Sequence, residues 1–177
     1  MSKLFISIFT VLLFFSCNLM EKKEENASEN NKEIVTDDLD QKGLKWLESI
    51  FQCADAQGFC YPDEEEVLSK EYRDYLIFAN SIFYEGHDWK EKEKEIYQKT
   101  YRDKWEGTYT ILEEETWPFD RPNGDIPNLE KVTVQSKGNL NYEVFIDYYQ
   151  GEFTNTSLVE LIEDNGNFYI HNTKTIK

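Results

Sequence analysis

The spacing of apolar residues changes near the middle of the chain, and this change limits the possible folds more than any other feature. Between Leu44 and Gly107, apolar side chains recur every three or four residues, which is the period of an α-helix with one buried face. After Gly107 many of them alternate with polar residues, which is the period of a β-strand. Helices followed by strands predict the α+β class, with N-terminal helices packed against a curved antiparallel sheet.

Three helices are expected in the first half of the chain. The second begins at Asp63, whose side chain can cap the helix, with Glu66 as its partner in a capping box. The third begins at another such box, formed by Asp88 and Glu91, and ends at Gly107. The first has a short apolar face made of Leu44, Leu47, Ile50 and Phe51.

Strands are expected in the second half. Residues 109–112 are β-prone, and Val132 and Val134 alternate with polar residues. Residues 142–149 carry aromatic side chains on both faces, which indicates that the sheet curls over the helices. The last two strands form a hairpin that turns at Asp164-Asn165-Gly166, because Asn-Gly accepts the positive φ angles of a two-residue turn.

The N-terminus has the order of a secretory signal. A single lysine is followed by residues 4–15, which carry no charge, and then by Ser16 and Cys17. Twelve helical residues cover roughly 18 Å, which is too short for a hydrocarbon core of about 30 Å. We therefore expect a cleavable signal peptide over residues 1–16 rather than a transmembrane helix.

Phe14-Phe15-Ser16-Cys17 resembles the lipobox of bacterial lipoproteins, in which the cysteine thiol is diacylglycerylated and the chain is cut before it. Phe14 stands where that family usually has leucine. Lys23-Glu24-Glu25 resembles the signal that sends some Bacteroidota lipoproteins to the cell surface. The resemblance implies a lipid anchor on Cys17 in the cell envelope, at the outer membrane and with surface exposure. An ordinary secretory signal with an incidental cysteine is the alternative.

The segment behind the anchor differs in composition from the rest. Residues 18–42 contain eight acidic residues, four lysines and no aromatic residue. Such a segment buries too little apolar surface to offset the entropy lost on ordering, so residues 17–42 are expected to form a lipidated, flexible tether. Residues 43–177 suit a single domain with one core.

The cysteine count fits the expected export to the cell envelope. With Cys17 carrying lipid, Cys53 and Cys60 remain as a pair, and an even remainder in an exported protein predicts a disulfide. A metal site would need further ligands, and the only histidines, His87 and His171, lie far along the chain. We expect no metal and no cofactor.

The order of elements over residues 43–177 resembles the nuclear transport factor 2-like, or cystatin-like, cone fold. Its best local match is residues 158–170, a β run followed by an acidic glycine turn and an aromatic-rich strand. No active-site motif of that family can be placed on this sequence. The resemblance implies a cleft between the inner face of the sheet and the helices.

Aromatic residues are unusually frequent in this domain, where eight Phe, four Trp and eleven Tyr make 23 of 135 residues. They suit a core and its rim, which is the first interpretation. They also suit a cleft for a glycan, a peptide or a small molecule, since tyrosine and tryptophan combine a large apolar body with a polar tip. The residues expected to form the walls of such a cleft are Trp46, Tyr97, Tyr101, Trp105, Tyr142 and Tyr148.

Two weaker sites are considered. Asp147 and His171 lie in predicted strands and could form a general base, but no nucleophile or metal motif accompanies them. Asp120, Asn123 and Asp125 lie in a proline-rich loop and could supply oxygens to calcium, although their spacing differs from an EF-hand. A hydrolase or an isomerase is therefore the least favoured function.

The charge of the domain limits its partners. Residues 43–177 contain 27 acidic and 14 basic residues, a net charge of −13, which argues against nucleic acid. The leading hypothesis is a non-enzymatic envelope lipoprotein that binds a small ligand, a glycan or a peptide. The alternative is an immunity or inhibitor lipoprotein that caps a basic toxin or enzyme, because complementary charge speeds association.

Overall fold

The computed structural model describes residues 38–54, 57–119, 129–148, 151 and 153–176. The chain divides into two compact units, Met1–Gln41 and Lys42–Lys177, and nearly all the described residues belong to the second. The predicted signal peptide, Cys17 and the calcium-loop residues Asp120, Asn123 and Asp125 lie outside the described residues. Within these ranges no helix is long and apolar enough to span a membrane.

The described residues of the first half contain four α-helices, and two of them begin at a side chain that caps the helix. The Asp63 carboxylate accepts a hydrogen bond from the backbone N–H of Glu65 at 2.9 Å, and Ser69 Oγ accepts one from the N–H of Tyr72 at 3.2 Å. A single 3-10 turn at Gly86–Asp88 joins the last two helices. The helices are α1 (38–49), α2 (Glu64–Val67), α3 (Lys70–Tyr84) and α4 (Glu91–Lys104).

The predicted second helix is two helices. Asp63 caps α2 as expected, but α2 ends after four residues and Ser69 starts α3 anew. The break has a tertiary cause, because Leu68 is extended and pairs with Ile170 of the sheet, and the Ser69 N–H donates to the Ile170 carbonyl at 2.8 Å. Local spacing of apolar residues does not encode this long-range pairing.

The predicted boundaries of the third helix were wrong. Its N-cap is Lys90, and the Glu93 carboxylate accepts from the Lys90 N–H at 2.7 Å, so Asp88 belongs to the preceding 3-10 turn. The helix ends at Lys104 instead of Gly107. Residues 109–112, expected as a strand, have irregular structure in which Tyr109 is buried.

The second half forms a four-stranded antiparallel sheet with the order β1-β2-β3-β4, and this confirms the α+β class. The sheet is open. Its last turn is the predicted one, since Asn165 and Gly166 have φ angles of 53° and 85° and Asp164 pairs with Asn167. The strands are β1 (Lys131–Gly138), β2 (Asn141–Asp147), β3 (Thr154–Asp164) and β4 (Asn167–Thr175).

One face of the sheet supports the core. Along β2, Tyr142, Val144 and Ile146 are fully buried, and along β3 their partners include the buried Val159 and Ser157. Side chains on one face alternate along a strand, so these residues share the face that the helices cover. The helices contribute Leu47, Phe51, Leu68, Tyr72, Tyr75, Leu76 and Ala79 to the same core.

The predicted disulfide is confirmed. Cys53 and Cys60 are bonded, with their Cα atoms 4.9 Å apart. The bond closes a short loop between α1 and α2, which is also held by a hydrogen bond from the Cys60 N–H to the Phe51 carbonyl at 2.8 Å. The loop therefore fixes the direction in which the chain leaves α1.

Candidate functional site

A pocket of about 360 Å³ lies between α3, α4 and the segment that follows α4. Its volume is at the lower end of the range for small-ligand sites, roughly 300–1,000 Å³. We name it the α3–α4 pocket. It is lined by Ile82, Gly86, Trp89, Lys94, Tyr97, Gln98 and Ile111.

Three structural elements bring these residues together. Lys94, Tyr97 and Gln98 lie at positions i, i+3 and i+4 of α4 and so share one helix face. Trp89 reaches the pocket from the link between α3 and α4. Ile111 reaches it because the chain turns back after α4, where its side chain stays about half exposed.

Two aromatic rings form a wall of the pocket. Tyr97 is buried and stacks on Phe78 with ring centroids 4.6 Å apart and an interplanar angle of 12°. Its hydroxyl donates to the Ala79 carbonyl at 3.2 Å, and burial raises its pKa. The Trp89 ring lies 5.3 Å from the Tyr97 ring at an angle of 48°. Because its hydroxyl is bonded to the Ala79 carbonyl of α3, Tyr97 lines the pocket with its ring and not with its polar end.

Gly86 permits a close approach at the edge of the pocket. A Cβ atom at this position would lie 2.9 Å from Ile82 Cγ1 and 3.7 Å from Trp89 Cε3. Real Cβ atoms essentially never come within 3.0 Å of another side chain, so a larger residue at position 86 would displace the Ile82 side chain. Glycine therefore preserves the pocket wall on this side.

Few polar side chains line the pocket, and two of them have no hydrogen-bond partner among the described residues. Lys94 and Gln98 are both exposed, and within the described parts of the chain neither side chain makes a hydrogen bond or an ion pair. The remaining lining is aromatic, aliphatic or glycine. An apolar lining with a small number of convergent polar groups is typical of a site for a small organic ligand.

A second pocket, of about 420 Å³, lies between α2, α3 and the β3–β4 hairpin. It is more charged, and the charges have both signs. Arg73 already donates to the Glu65 carbonyl at 2.9 Å, and Lys70 pairs with Asp74. Its charged lining residues are Glu65, Glu66, Lys70, Glu71, Arg73 and Asp164. Its four acidic residues outnumber the two basic ones, and both basic side chains already have partners within the protein.

Of the six residues predicted to form a cleft, only Tyr97 lines the α3–α4 pocket. Tyr142 and Tyr148 are fully buried in the core, and the Tyr148 hydroxyl donates to the Phe119 carbonyl. Trp46 lies against Phe168 with ring centroids 6.1 Å apart. These contacts suit the core-and-rim interpretation of the aromatic residues.

Tyr101 and Trp105 support the segment behind α4. The Tyr101 hydroxyl donates to the Tyr109 carbonyl at 2.8 Å, and the Trp105 ring lies 5.8 Å from the Tyr75 ring and 6.0 Å from the Tyr109 ring. The Tyr75 and Tyr109 rings stack at 4.3 Å, and burial raises the pKa of both hydroxyls well above the usual value for tyrosine. This cluster holds the returning chain against α3.

Asp147 and His171 do not come together. Asp147 pairs with Thr154 at one end of β3, whereas His171 lies at a bulge opposite Glu160 and Leu161. Six residues along a strand correspond to about 20 Å, so the two side chains cannot share a proton. The general-base pair considered from the sequence is thus ruled out by the strand register.

His171 instead joins the sheet to the start of α3. Its Nδ1 lies 3.2 Å from Ser69 Oγ and 3.4 Å from the Tyr109 hydroxyl. Ser69 is buried and also caps α3. We read this group as a structural tie, because each member has a partner within the protein.

Six of the seven pocket residues were not identified as site residues from the sequence, namely Ile82, Gly86, Trp89, Lys94, Gln98 and Ile111. The sequence does contain part of the signal, since Lys94, Tyr97 and Gln98 have helical spacing on one face. It does not contain the return of the chain after α4, which brings Ile111 to the pocket. A pocket made of separate segments needs the tertiary structure.

Metal chemistry has no cluster to support it in the part of the chain that the structure describes, where no three His, Cys, Asp or Glu residues lie close enough to hold an ion. His87 lies beside Asp88 on the surface, with its Nε2 3.0 Å from a carboxylate oxygen. Comparison with known proteins gives no relative: no protein-family model, no curated protein and no solved structure matches this chain.

Proposed function

We propose that this protein is a non-enzymatic binding protein that holds a small ligand in the α3–α4 pocket. The observation that carries the proposal is the lining itself, in which the Trp89 and Tyr97 rings, Ile82 and Ile111 accompany two polar side chains that have no partner among the residues the structure describes. Aromatic faces of this kind bind rings that are flat or that have one apolar face, which includes sugars and aromatic molecules.

We further propose that the chain is a lipoprotein of the cell envelope, anchored through Cys17 at the outer membrane. The charged, apolar and small-residue order of residues 1–17 supports this address. Replacing Cys17 with alanine should abolish incorporation of labelled fatty acid and release the protein from membranes. Incorporation that persists in the Cys17→Ala variant would contradict the anchor.

The nuclear transport factor 2-like cone remains our proposal for the detailed fold. Its support is the order of helices before an antiparallel sheet with one covered face. An experimental structure tests it, since a sheet that stays flat, without wrapping around the helices, would contradict it.

The binding proposal is tested by ligand-observed NMR with the full chain and a panel of simple glycosides, uronic acids and indole derivatives. We expect at least one compound of the panel to bind to the original chain. The NMR signal that reports binding of this compound should be weaker with the Trp89→Ala variant. Trp117→Ala is the matched control, because Trp117 does not line the pocket and bonds to Glu115 instead. No binding across the panel, or equal loss in both variants, would contradict the proposal.

A second function follows from the charge of the domain. A net charge of −13 over residues 43–177 would speed association with a basic protein, as in an immunity or inhibitor lipoprotein. Co-purification of a basic partner whose association rate falls steeply with salt would support it. A partner whose binding rate ignores salt would contradict the electrostatic basis.

A further inference from the structure

The α3–α4 pocket has an unusual charge for this molecule. Among the described residues, Lys94 is the only charged one that lines it, although acidic residues outnumber basic ones by 27 to 14 over residues 43–177. Exposed charges further away than about 8 Å are largely screened at physiological salt. An anionic group inside the pocket would therefore respond mainly to Lys94 and its neighbours on α4.

Lys94 can be compared with two other lysines, which form ion pairs along their own helices. Lys70 pairs with Asp74 and Lys99 pairs with Asp103, in both cases with a carboxylate four residues on. The Lys70 ammonium also lowers the pKa of Asp74. In these two pairs the positive charge already has its partner.

Four residues after Lys94, the side chain is an amide instead of a carboxylate. The residue four positions on is Gln98, which is neutral and lines the pocket beside it. Glu91, three positions before Lys94, is within reach on the helix but is not paired with it. The Lys94 ammonium and the Gln98 amide are thus two hydrogen-bond donors on the same helix face that have no acceptor in the described parts of the protein.

Tyr97 lies next to these donors on the same face of α4, and the Trp89 ring lies beside the Tyr97 ring with centroids 5.3 Å apart. A ligand ring placed against these aromatic side chains would carry its substituent toward Lys94 and Gln98. A carboxylate is the substituent that both donors satisfy, because it accepts several hydrogen bonds and its charge is opposite to that of lysine.

We propose that the α3–α4 pocket selects a small ring compound that carries a carboxylate, held by Lys94 and Gln98 while its ring lies against Trp89 and Tyr97. This inference rests on the proposed function, since it names the ligand class of the same pocket. Two sources share this chemistry, namely aromatic carboxylic acids and uronic acids.

The experiment compares acids with neutral analogues of the same shape. The probes are indole-3-acetate with indole-3-acetamide, and methyl glucuronide with methyl glucoside, each titrated calorimetrically into the full chain at about 0.1 M salt. We expect the acid to bind about tenfold or more tightly than its neutral analogue in at least one pair. The pair that shows the preference identifies the source.

Two variants assign the preference to one side chain. Lys94→Gln should reduce the preference to less than threefold, whereas Lys92→Gln, which removes the same charge from an exposed position outside the pocket, should retain it. Both side chains are exposed, so both variants should fold, and thermal unfolding verifies this. Gln98→Leu, which removes the second donor, should weaken the acid more than the neutral analogue.

The outcomes separate this inference from the proposed function. Equal binding of acid and neutral analogue would overturn the inference and leave the binding function standing. A preference that survives in Lys94→Gln, or that is lost equally in Lys92→Gln, would also overturn it. Failure of all four probes to bind would contradict both.

Discussion

Replacing Gly43 with alanine should have two opposing effects of similar size on the free energy of unfolding. The contacts around Gly43 show which effect is larger. Gly43 lies inside α1, where alanine is favoured over glycine by about 1 kcal/mol on helix propensity alone. However, an added Cβ atom would overlap the Tyr142 hydroxyl and lie 3.2 Å from Leu140 Cδ2. Tyr142 is fully buried, so its ring has no free space into which to move.

Adding a methyl group to a packed core costs about 1–3 kcal/mol. After the gain in helix propensity, we expect Gly43→Ala to lower the free energy of unfolding by about 1 kcal/mol, which corresponds to a few degrees in Tm for a chain of this size. Urea unfolding followed by circular dichroism measures it. An increase in stability of about 1 kcal/mol, as propensity alone predicts, would refute this reasoning.

Two further variants isolate the cause. Gly107→Ala is the matched control, because nothing lies within 4 Å of its added Cβ and its backbone is outside the left-handed region, so no loss is expected. Tyr142→Phe removes the overlapping oxygen. In that background Gly43→Ala should cost about 1 kcal/mol less, and a double-mutant cycle measures this coupling directly. A coupling free energy of zero would show that the cost of Gly43→Ala does not come from its contact with the Tyr142 hydroxyl.

Three other predictions concern the stability of the fold. Replacing Cys53 and Cys60 with serine should lower the unfolding free energy by about 2–3 kcal/mol in urea, because a short closed loop is released, and equal stability would contradict this. Asn80→Ala should cost about 2–3 kcal/mol, since this buried amide pairs with both the N–H and the carbonyl of residue 116 at 3.0 and 2.8 Å; a cost below 0.5 kcal/mol would refute it. Above pH 10 stability should fall by at most about 1.4 kcal/mol per pH unit for each of Tyr75 and Tyr109, because their pKa values are raised in the folded state and the unfolded chain loses these protons first. Urea unfolding across this pH range measures the fall, and a Tyr75→Phe variant that loses as much stability as the original chain would contradict it.

The sequence predicts the fold class and the last hairpin because both depend on local chemistry. The change in hydrophobic period near Gly107 separates helices from strands, and Asn165-Gly166 supplies the positive φ angles of the turn. The disulfide was predicted from the cysteine count, because the proposed lipidation of Cys17 leaves Cys53 and Cys60 as a single pair.

Long-range contacts explain what the sequence does not predict. The helix break at Leu68 depends on pairing with Ile170, which lies about one hundred residues away in the chain. Residues 109–112 are β-prone but have no strand beside them among the described residues, and they form irregular structure held by Tyr75 and Tyr101. Such partners are fixed only by the tertiary fold.

The candidate site is harder to predict than the fold for a related reason. Aromatic residues are enriched throughout the domain, and most of those predicted for a cleft serve the core, as Tyr142 and Tyr148 do. Burial and binding require the same residue types. What distinguishes the pocket is that Lys94 and Gln98 lie beside the Trp89 and Tyr97 rings, and only the tertiary fold brings these side chains together.

The central claim, that the α3–α4 pocket is the binding site, is tested most directly by mapping chemical shifts in the isotopically labelled full chain while the best-binding probe is added. We expect saturable shifts at the Trp89 indole N–H, the Gln98 side-chain amide and the Gly86 backbone N–H, because these groups line the pocket. Shifts confined to the second pocket, at Glu71 and Tyr169, or no saturable shift with any probe, would contradict it.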